Sequence, residues 1–303
     1  MRIVLAGGTG FVGQALREKF FSAGHEVTVL TRQNGGGEIK GGEFVSWDAK
    51  DPGDWISCLD GADAVINLVG ENIATKRWTQ AQKQKILLSR VNATRAIVNA
   101  IGFVRQKPAL LINVSATGYY GDASDLELTE ASAQGAGFLA ETCGRWEAEA
   151  CKAEELGVRV VLARLGLVLG EKGGMLSKML PPFRLSIGAP LGSGKQWISW
   201  VHQEDVTGAF LFILQHGELS GPVNVTAPAP VTMTEFCSML ARVLHRPSWF
   251  PIPPFLLKMF MGEMAMIVLS SQRALPQKLL EAGYQFAHPD LAEAFESILK
   301  ENV

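Results

Sequence analysis

RIVLAGGTGFVG, residues 2–13, decides the fold. Its first half is a short, nearly continuous run of branched apolar residues, the pattern of a strand covered on both faces. Its second half sets Gly7, Gly10 and Gly13 at a G-x-x-G-x-x-G spacing and runs into FVGQALREKFFSAG, where apolar residues recur at helical intervals. Strand, glycine turn and helix in that order predict a cradle for a dinucleotide. Gly7 permits a tight turn, Gly10 lets the backbone approach a pyrophosphate, and Gly13 lets helix and strand pack closely. The helix start then offers N–H groups and a positive dipole end to the phosphates. A glycine-rich turn without a ligand is the competing reading.

Working outward, further short apolar runs predict strands at EVTVLT (26–31), EFVSW (43–47), DAVINLV (63–69), LLINVS (110–115) and VRVVLAR (158–164). The long segment 79–103 has apolar residues at helical spacing. Alternation of this kind predicts an α/β chain with a Rossmann-type doubly wound parallel sheet, whose ligands lie beyond the carboxyl ends of the strands. After about Leu169, Gly and Pro become frequent and apolar helical segments appear near 204–216, 232–244, 253–269 and 289–299. Residues 1–169 are therefore expected to hold the dinucleotide. Residues 170–303 are expected to form a smaller, mostly helical substrate lobe, partly woven back into the first part.

Bulk composition excludes several classes. Hydrophobic residues make up 47% and charged residues 19% of 303, an ordinary globular balance. A net charge of −2 provides no overall basic field for nucleic acid or an anionic membrane, so neither is expected as a partner. Cys58, Cys143, Cys151 and Cys237 are widely spaced and the five histidines scattered, so reduced thiols in a cytoplasmic protein and no metal site are expected. RIVLAGG leaves no room for a leader ahead of it, on this reading. The most apolar later stretch, 252–269, is broken by Pro253, Pro254, Lys258, Gly262 and Glu263, and reads as one or two packing helices rather than a membrane span.

The end of the second strand chooses between cofactors. An acidic residue there would bind the ribose 2′-hydroxyl of NAD; the chain instead reads Leu30, Thr31, Arg32. A guanidinium suits a 2′-phosphate, so NADP is the expected cofactor, with a solvated Arg32 as the alternative.

Beyond these points the chain resembles the extended short-chain dehydrogenase/reductase superfamily, the sugar-nucleotide epimerases and dehydratases. The resemblance rests on GGTGFVG, VNATRAI (91–97), SATGYYGD (115–122), RLGLVLG (164–170) and WVHQEDV (200–206). GENI (70–73) with Trp78, FLAETCGRWE (138–147), an LPPF turn (180–183) and GYQFAHPDL (283–291) are similar to the atypical, YfcH-like epimerase-family branch. That branch ends in a domain of unassigned role, here about 248–296. The resemblance implies a cofactor site with Gly7, Gly10, Phe11, Val12 and Gly13 under the phosphates and Thr31 and Arg32 at the adenosine phosphate. It adds Leu68, Val69 and Gly70 after the fourth strand, Lys85 and Arg90 on the following helix, and Val168 near the nicotinamide. Read from the residues alone, Lys85 and Arg90 would be a solvated helix face. Asp48 suits either adenine or a plain turn.

The family's Ser/Thr, Tyr and Lys are missing at the matching positions. Glu147 fits a family Glu; one turn back stands Cys143 where Lys belongs, and another turn back Leu139 where Tyr belongs. The Ser/Thr position falls on Ala116, between Ser115 and Thr117. Four substitutes are candidates for catalysis. Glu71 would serve as a base if desolvation raised its pKa, or merely cap a helix. Tyr119 and Thr117 follow the fifth strand, and Cys143 is either a thiol over the nicotinamide or a small core residue. Tyr120 and His202 read as structural, Asp205 as a capping or pairing residue, and Lys76, Arg77 and Trp78 as an anion-and-ring site or an exposed basic loop. Met175, Met179, Phe183 and Leu191, with Arg184 and Lys195 the nearby cations, point to a small or apolar substrate, or else to core packing. Two functions remain open. One is an NADP(H)-dependent oxidoreductase or nucleoside-diphosphate-sugar epimerase-like enzyme acting on an unknown small molecule. The other is a non-catalytic NADPH-binding regulator or scaffold. A homo-oligomer is compatible with either.

Overall fold

The computed structural model describes residues 1–32, 37–39, 42–171 and 173–300. Seven strands run parallel in one sheet: β1 (Arg2–Ala6), β2 (Glu26–Thr31), β4 (Gly42–Ser46), β5 (Ala64–Asn67), β6 (Leu110–Ala116), β8 (Arg159–Leu165) and β12 (Gly221–Val225). β3 (Gly37–Ile39) adds an antiparallel edge, giving the order β12-β8-β6-β5-β1-β2-β4-β3. The chain starts at β1, winds out through β2 and β4, then crosses back to β5 and winds the other way. The switch point therefore lies between β1 and β5, where a crevice opens at the carboxyl ends.

Every second side chain of these strands faces the same layer, and both layers are apolar. Ile3 and Leu5 join Leu16 and Phe20 of α1 (Phe11–Ser22) and Phe210 and Ile213 of α5 (Gln203–Gln215). Val4 and Ala6 join Ile97 and Ile101 of α2 (Gln80–Phe103) and Ala150 of α3 (Phe138–Cys151). That two-sided burial is why the strands read as continuous apolar runs.

A third core lies in the C-terminal part. It gathers Leu176 and Phe183 of α4 (Leu176–Arg184), Phe236 and Leu240 of α6 (Met233–Val243), Leu257 of α7 (Pro254–Met261) and Phe295 of α10 (Leu291–Lys300). Val268 of α8 (Met266–Leu269) joins it, while Leu279 of α9 (Gln277–Glu281) packs under the main sheet. Short two-strand pairs stitch the parts: β7 (Glu127–Leu128) with β14 (Arg273–Ala274), β9 (Leu167–Leu169) with β11 (Trp200–His202), and β10 (Trp197–Ile198) with β13 (Val231–Thr232).

Two expectations change, one is met in more detail, and one choice is decided. GPVNV was not among the expected strands, yet β12 is the outermost parallel strand; its Asn224 interrupts the apolar run, and Pro222 is tolerated at the start of an edge strand. LPPF is not a turn: Pro181 and Pro182 lie inside α4, whose buried Leu180 and Phe183 hold the helix against the third core. The stretch 252–269 divides at Gly262, where φ is 62°, into α7, a tight turn and α8. Met179 and Phe183 are buried core residues with Met175 and Leu191 packed beside them, so these four give no support for an apolar substrate.

Phe210 is fully buried between α5 and the sheet. Phe210→Ala is expected to cost about 3–5 kcal/mol through lost contacts and a cavity, read as a lower urea midpoint at unchanged slope.

Candidate functional site

The turn from β1 into α1 is built by close approach. Gly7 has φ of 86°, a region that costs other residues energy, and Gly10 donates its N–H to the Gly7 carbonyl at 3.2 Å. A Cβ on Gly13 would lie 2.3 Å from the Gly7 oxygen and 2.7 Å from the Gly8 Cα, so the helix can approach the strand only with glycine there. Gly10 is different. Its φ is −79°, and a Cβ would meet only the Gly7 oxygen at 3.5 Å, an ordinary contact. Nothing in the described chain requires glycine at position 10. Among the described residues no side chain caps α1 and no carboxylate stands in its first turn, so the dipole at the helix N-terminus is left uncompensated.

Phe11 holds the turn against the C-terminal part. Its carbonyl accepts from Gln203 Nε2 at 3.1 Å, and its ring leaves no space for side chains at Gly170 and Gly173, where a Cβ would lie 2.7 and 2.5 Å from it. The glycine-rich stretch after β9 is thus a seat for Phe11. Val12 and Leu68 pack on the first core, and Val168 lies in β9 opposite Val201 of β11.

At the end of β2, Thr31 is buried and Arg32 exposed. Asp48 lies beyond β4 and is a turn residue: the N–H groups of Lys50 and Asp51, at 2.9 and 3.0 Å, hold its carboxyl below the usual range. After β5 come Leu68, Val69, Gly70 and Glu71. The Val69 N–H donates to Asn67 Oδ1, and the Glu71 N–H to Ser89 Oγ. Arg90 is not a solvated residue. Its guanidinium lies over the Trp146 ring at 5.2 Å, donates to the Glu71 and Ile86 carbonyls at 3.0 and 2.9 Å, and crowds the Gly70 backbone. Lys85 remains largely exposed and pairs with Glu71 at 3.2 Å.

That pair overturns the expectation for Glu71. Burial works to raise its pKa, but the hydrogen bond and charge of Lys85, with Gln82 and Arg32, prevail and hold it below the ordinary value. Glu71 is an ion-paired carboxylate and a weak base. Cys143 is also a poor proton carrier at neutral pH: burial, then the charge of Glu147, pushes its thiol up to about 11. Leu139 lies against Gly118, whose Cβ would sit 3.5 Å from the Leu139 Cβ. Thr117 is buried and donates to Gln272 Oε1 at 3.4 Å. Tyr119 is half-buried, its ring sandwiched by the Arg164 guanidinium at 3.5 Å and the edge of Tyr120 at 5.4 Å, and its hydroxyl has no hydrogen bond within the described residues.

Beneath the site runs a buried polar chain. Ser115 Oγ donates to Glu147 Oε1 at 2.6 Å; Arg164 grips both Glu147 oxygens at 2.9 and 2.8 Å and donates to Tyr120 Oη at 3.0 Å. Tyr120 Oη donates to Asn224 Oδ1 at 2.7 Å, and the Asn224 N–H reaches Glu130 at 3.0 Å. Burial alone would lower the Arg164 pKa; its bonds to Glu147 and Tyr120 raise it instead. A second cluster ties β5, α2, β6 and α3 together. In it Asn67 Nδ2 donates to Asn113 Oδ1 and Thr94 Oγ1, and Trp146 Nε1 donates to Thr94 Oγ1. Thr94, Asn113 and Trp146 were given no role in the sequence reading; a polar residue inside an otherwise apolar strand, as at Asn67 and Asn113, is the available signal.

Arg77 and Trp78 do not form an anion-and-ring site. Arg77 donates to the Met259 and Phe260 carbonyls, while Trp78 is buried against the Phe138 ring with its Nε1 on the Ile73 carbonyl. Asp205 accepts the N–H groups of Ala287 and His288 at 2.7 and 3.0 Å, tying the C-terminal segment to α5. His202, Glu204 and His288 stand close enough to share a cation, but His202 Nδ1 already accepts the Glu204 N–H and the two rings stack at 3.8 Å rather than aim at one point.

Glycine turn, switch-point crevice and buried Glu–Arg pair are accompanied by matching relatives. The NAD-dependent epimerase/dehydratase family matches residues 3–226, and a domain of unknown function, DUF1731, matches residues 252–298. This chain belongs to the NAD-dependent epimerase/dehydratase family. The Bacillus subtilis epimerase family protein YfhF is 40% identical over 300 residues, covering 99% of this chain and 98% of that one. The chloroplastic SDR39U1 homolog of Arabidopsis thaliana is 38% identical over 304 residues, covering 99% and 87%. Among solved structures, human epimerase family protein SDR39U1 with NADPH superposes with a TM-score of 0.89 at 32% identity, over 100% of both chains. A nucleoside-diphosphate sugar epimerase from Corynebacterium glutamicum gives 0.80 at 31% identity, covering 99% of this family member and 58% of that chain.

Glu147→Gln leaves the Arg164 guanidinium buried without its counter-charge and is expected to cost about 3–5 kcal/mol. Adding Arg164→Met should recover part of that loss in denaturant midpoints, because an uncharged pair needs no mutual compensation.

Proposed function

We propose that this chain binds NADP(H) in the β1–β5 crevice and is an oxidoreductase or epimerase-like enzyme working without a Tyr-x-x-x-Lys relay. The observation that carries the cofactor reading is Gly10, a glycine in an ordinary conformation with free space along its missing side chain. The likeness to human SDR39U1, solved with NADPH, supports the same reading. The N–H groups at Phe11, Val12 and Gly13 would hold the pyrophosphate against the helix dipole. Arg32, next to buried Thr31, would pair with the 2′-phosphate, a point charge that NAD lacks. Leu68, Val69, Gly70 and Val168 would line the apolar path of the cofactor, with Lys85 and Arg90 supplying cations beside it. When bound, the nicotinamide would supply or accept a hydride.

The accompanying proton is assigned to Tyr119 Oη. Glu71 is held by Lys85, the Cys143 thiol stays protonated, and Thr117 is engaged by Gln272, whereas the Tyr119 hydroxyl is uncommitted beyond the end of β6. A second reading, a non-catalytic NADPH-dependent regulator or scaffold, is favoured by one observation: the helix face expected to carry Tyr and Lys carries Leu139 and Cys143.

Calorimetric titration tests the cofactor. NADPH should bind and NADH bind more weakly. Gly10→Val should abolish NADPH binding while leaving the melting temperature nearly unchanged, whereas Gly13→Ala should unfold the turn. Arg32→Asp should weaken NADPH about tenfold or more with little effect on NADH. Absence of any heat or fluorescence response to millimolar NADPH defeats the assignment.

Turnover separates the two readings. Against a panel of carbonyl compounds and nucleotide sugars, NADPH absorbance should fall with at least one substrate, and Tyr119→Phe should slow that step about a hundredfold or more at unchanged NADPH affinity. Tight binding with no turnover across the panel selects the scaffold.

A further inference from the structure

The surface of the C-terminal part carries an apolar face that no described residue covers. Of thirteen large hydrophobic residues exposed among the described residues, eight fall within 185–187 and 249–266. Leu185 and Ile187 are 71% and 66% exposed, and Trp249 and Phe250 are 56% and 90% exposed. These two short segments are joined, since Trp249 Nε1 donates to the Ser186 carbonyl and its N–H to Gly188. The face continues onto α7, where Leu257 points into the third core while Phe255, Met259 and Phe260 are 66%, 59% and 68% exposed. Isolated exposed apolar residues are ordinary, but this many from contiguous segments mark a surface that something covers.

Charge identifies the occupant. Neither 175–195 nor 236–262 contains an Asp or Glu, although the whole chain has 30 of them. The same segments hold Arg184, Arg242, Arg246 and Lys258, all exposed. The net charge of −2 therefore conceals a one-sided basic rim around a Trp- and Phe-rich patch. A second copy of the chain docking through this face would set two such rims against each other, and the one carboxylate of the 249–266 stretch, Glu263, is already paired with Lys83. An anionic phospholipid surface meets both demands: aromatic side chains settle at the headgroup level and cations attract the lipid phosphates.

We propose that this face docks the protein on an anionic bilayer, lying on it without crossing it. No described helix is long and apolar enough to span a membrane. The expectation of no membrane partner, read from net charge, is thereby replaced by one read from charge distribution. The placement bears on the cleft. Arg77 fastens the loop after β5 to the Met259 and Phe260 carbonyls, Lys83 pairs with Glu263, and Lys178 donates to the Ala74 carbonyl at 3.2 Å. The apolar face is thus anchored to the loop bordering the candidate crevice. The proposal stands whether or not NADP(H) is the cofactor.

Sedimentation of the full chain with vesicles of phosphatidylcholine alone, or of phosphatidylcholine with phosphatidylglycerol, tests it. The protein should pellet with the phosphatidylglycerol vesicles, be released by high salt, and partition about fivefold more weakly for each cation neutralised in Arg246→Gln and Lys258→Gln. Phe250→Asp should abolish binding. Unchanged melting temperatures show that the variants remain folded, since all three side chains are exposed. Failure to pellet with either vesicle, equal pelleting with both, or a salt-stable dimer that buries Trp249 in place of vesicle binding overturns the proposal. So does capture of the face by an acidic protein when vesicles do not bind.

Discussion

The contact between Gly13 and the Gly7–Gly8 backbone is the constraint on which the remaining architecture turns. A helix can lie this close to the strand before it only if the facing position has no side chain, and a methyl group there would overlap the Gly7 oxygen at 2.3 Å. With α1 so placed, Leu16 and Phe20 reach the layer shared with α5, and the Phe11 carbonyl reaches Gln203 on α5 itself. The helix N-terminus consequently opens into the crevice between β1 and β5. Fold and candidate site are set by the same atoms.

A second constraint acts across the sheet rather than along it. The chain Ser115–Glu147–Arg164–Tyr120–Asn224 crosses from β6 through α3 and β8 to β12, so the edge strand is fixed by polar contacts as well as by its ladder. Burying a Glu–Arg pair contributes little net stability against an apolar alternative of the same shape. What it does impose is geometry, because each partner must find the other or remain charged in a low dielectric. This accounts for the Tyr119 ring held face-on to the Arg164 guanidinium at the mouth of the site.

Much of this was legible in the residues, and where it was not the reason is physical. The parallel strands announced themselves because both faces are buried; β12 did not, because Asn224 turns inward to a Tyr rather than to an apolar layer. LPPF looked like a turn because proline lacks an N–H, yet tertiary burial of Leu180 and Phe183 outweighed the two lost donors. Glu71 would serve as a base only if desolvation raised its pKa; Lys85 in the second turn of α2 holds it below the ordinary value instead, and no local pattern reveals such a partner.

The face of α3 where the family resemblance implies a tyrosine and a lysine is packed as a unit. Leu139 fills space against Gly118, and Cys143 sits beside Ser115 and Glu147 with its thiol pushed up to about 11, so this face of α3 holds no group that titrates near neutrality. The Glu one turn further on is retained, but its oxygens are occupied by Ser115 and Arg164. Arg90, from α2, lies over Trp146 about one helical turn from Cys143, and no carboxylate among the described residues pairs with its guanidinium. A cation fixed there can hold an anionic or polar group of a bound dinucleotide but, as a guanidinium, cannot exchange a proton. On the proposed reading, binding would rest on α2 and proton transfer on the turn after β6, two tasks that one lysine can perform at once.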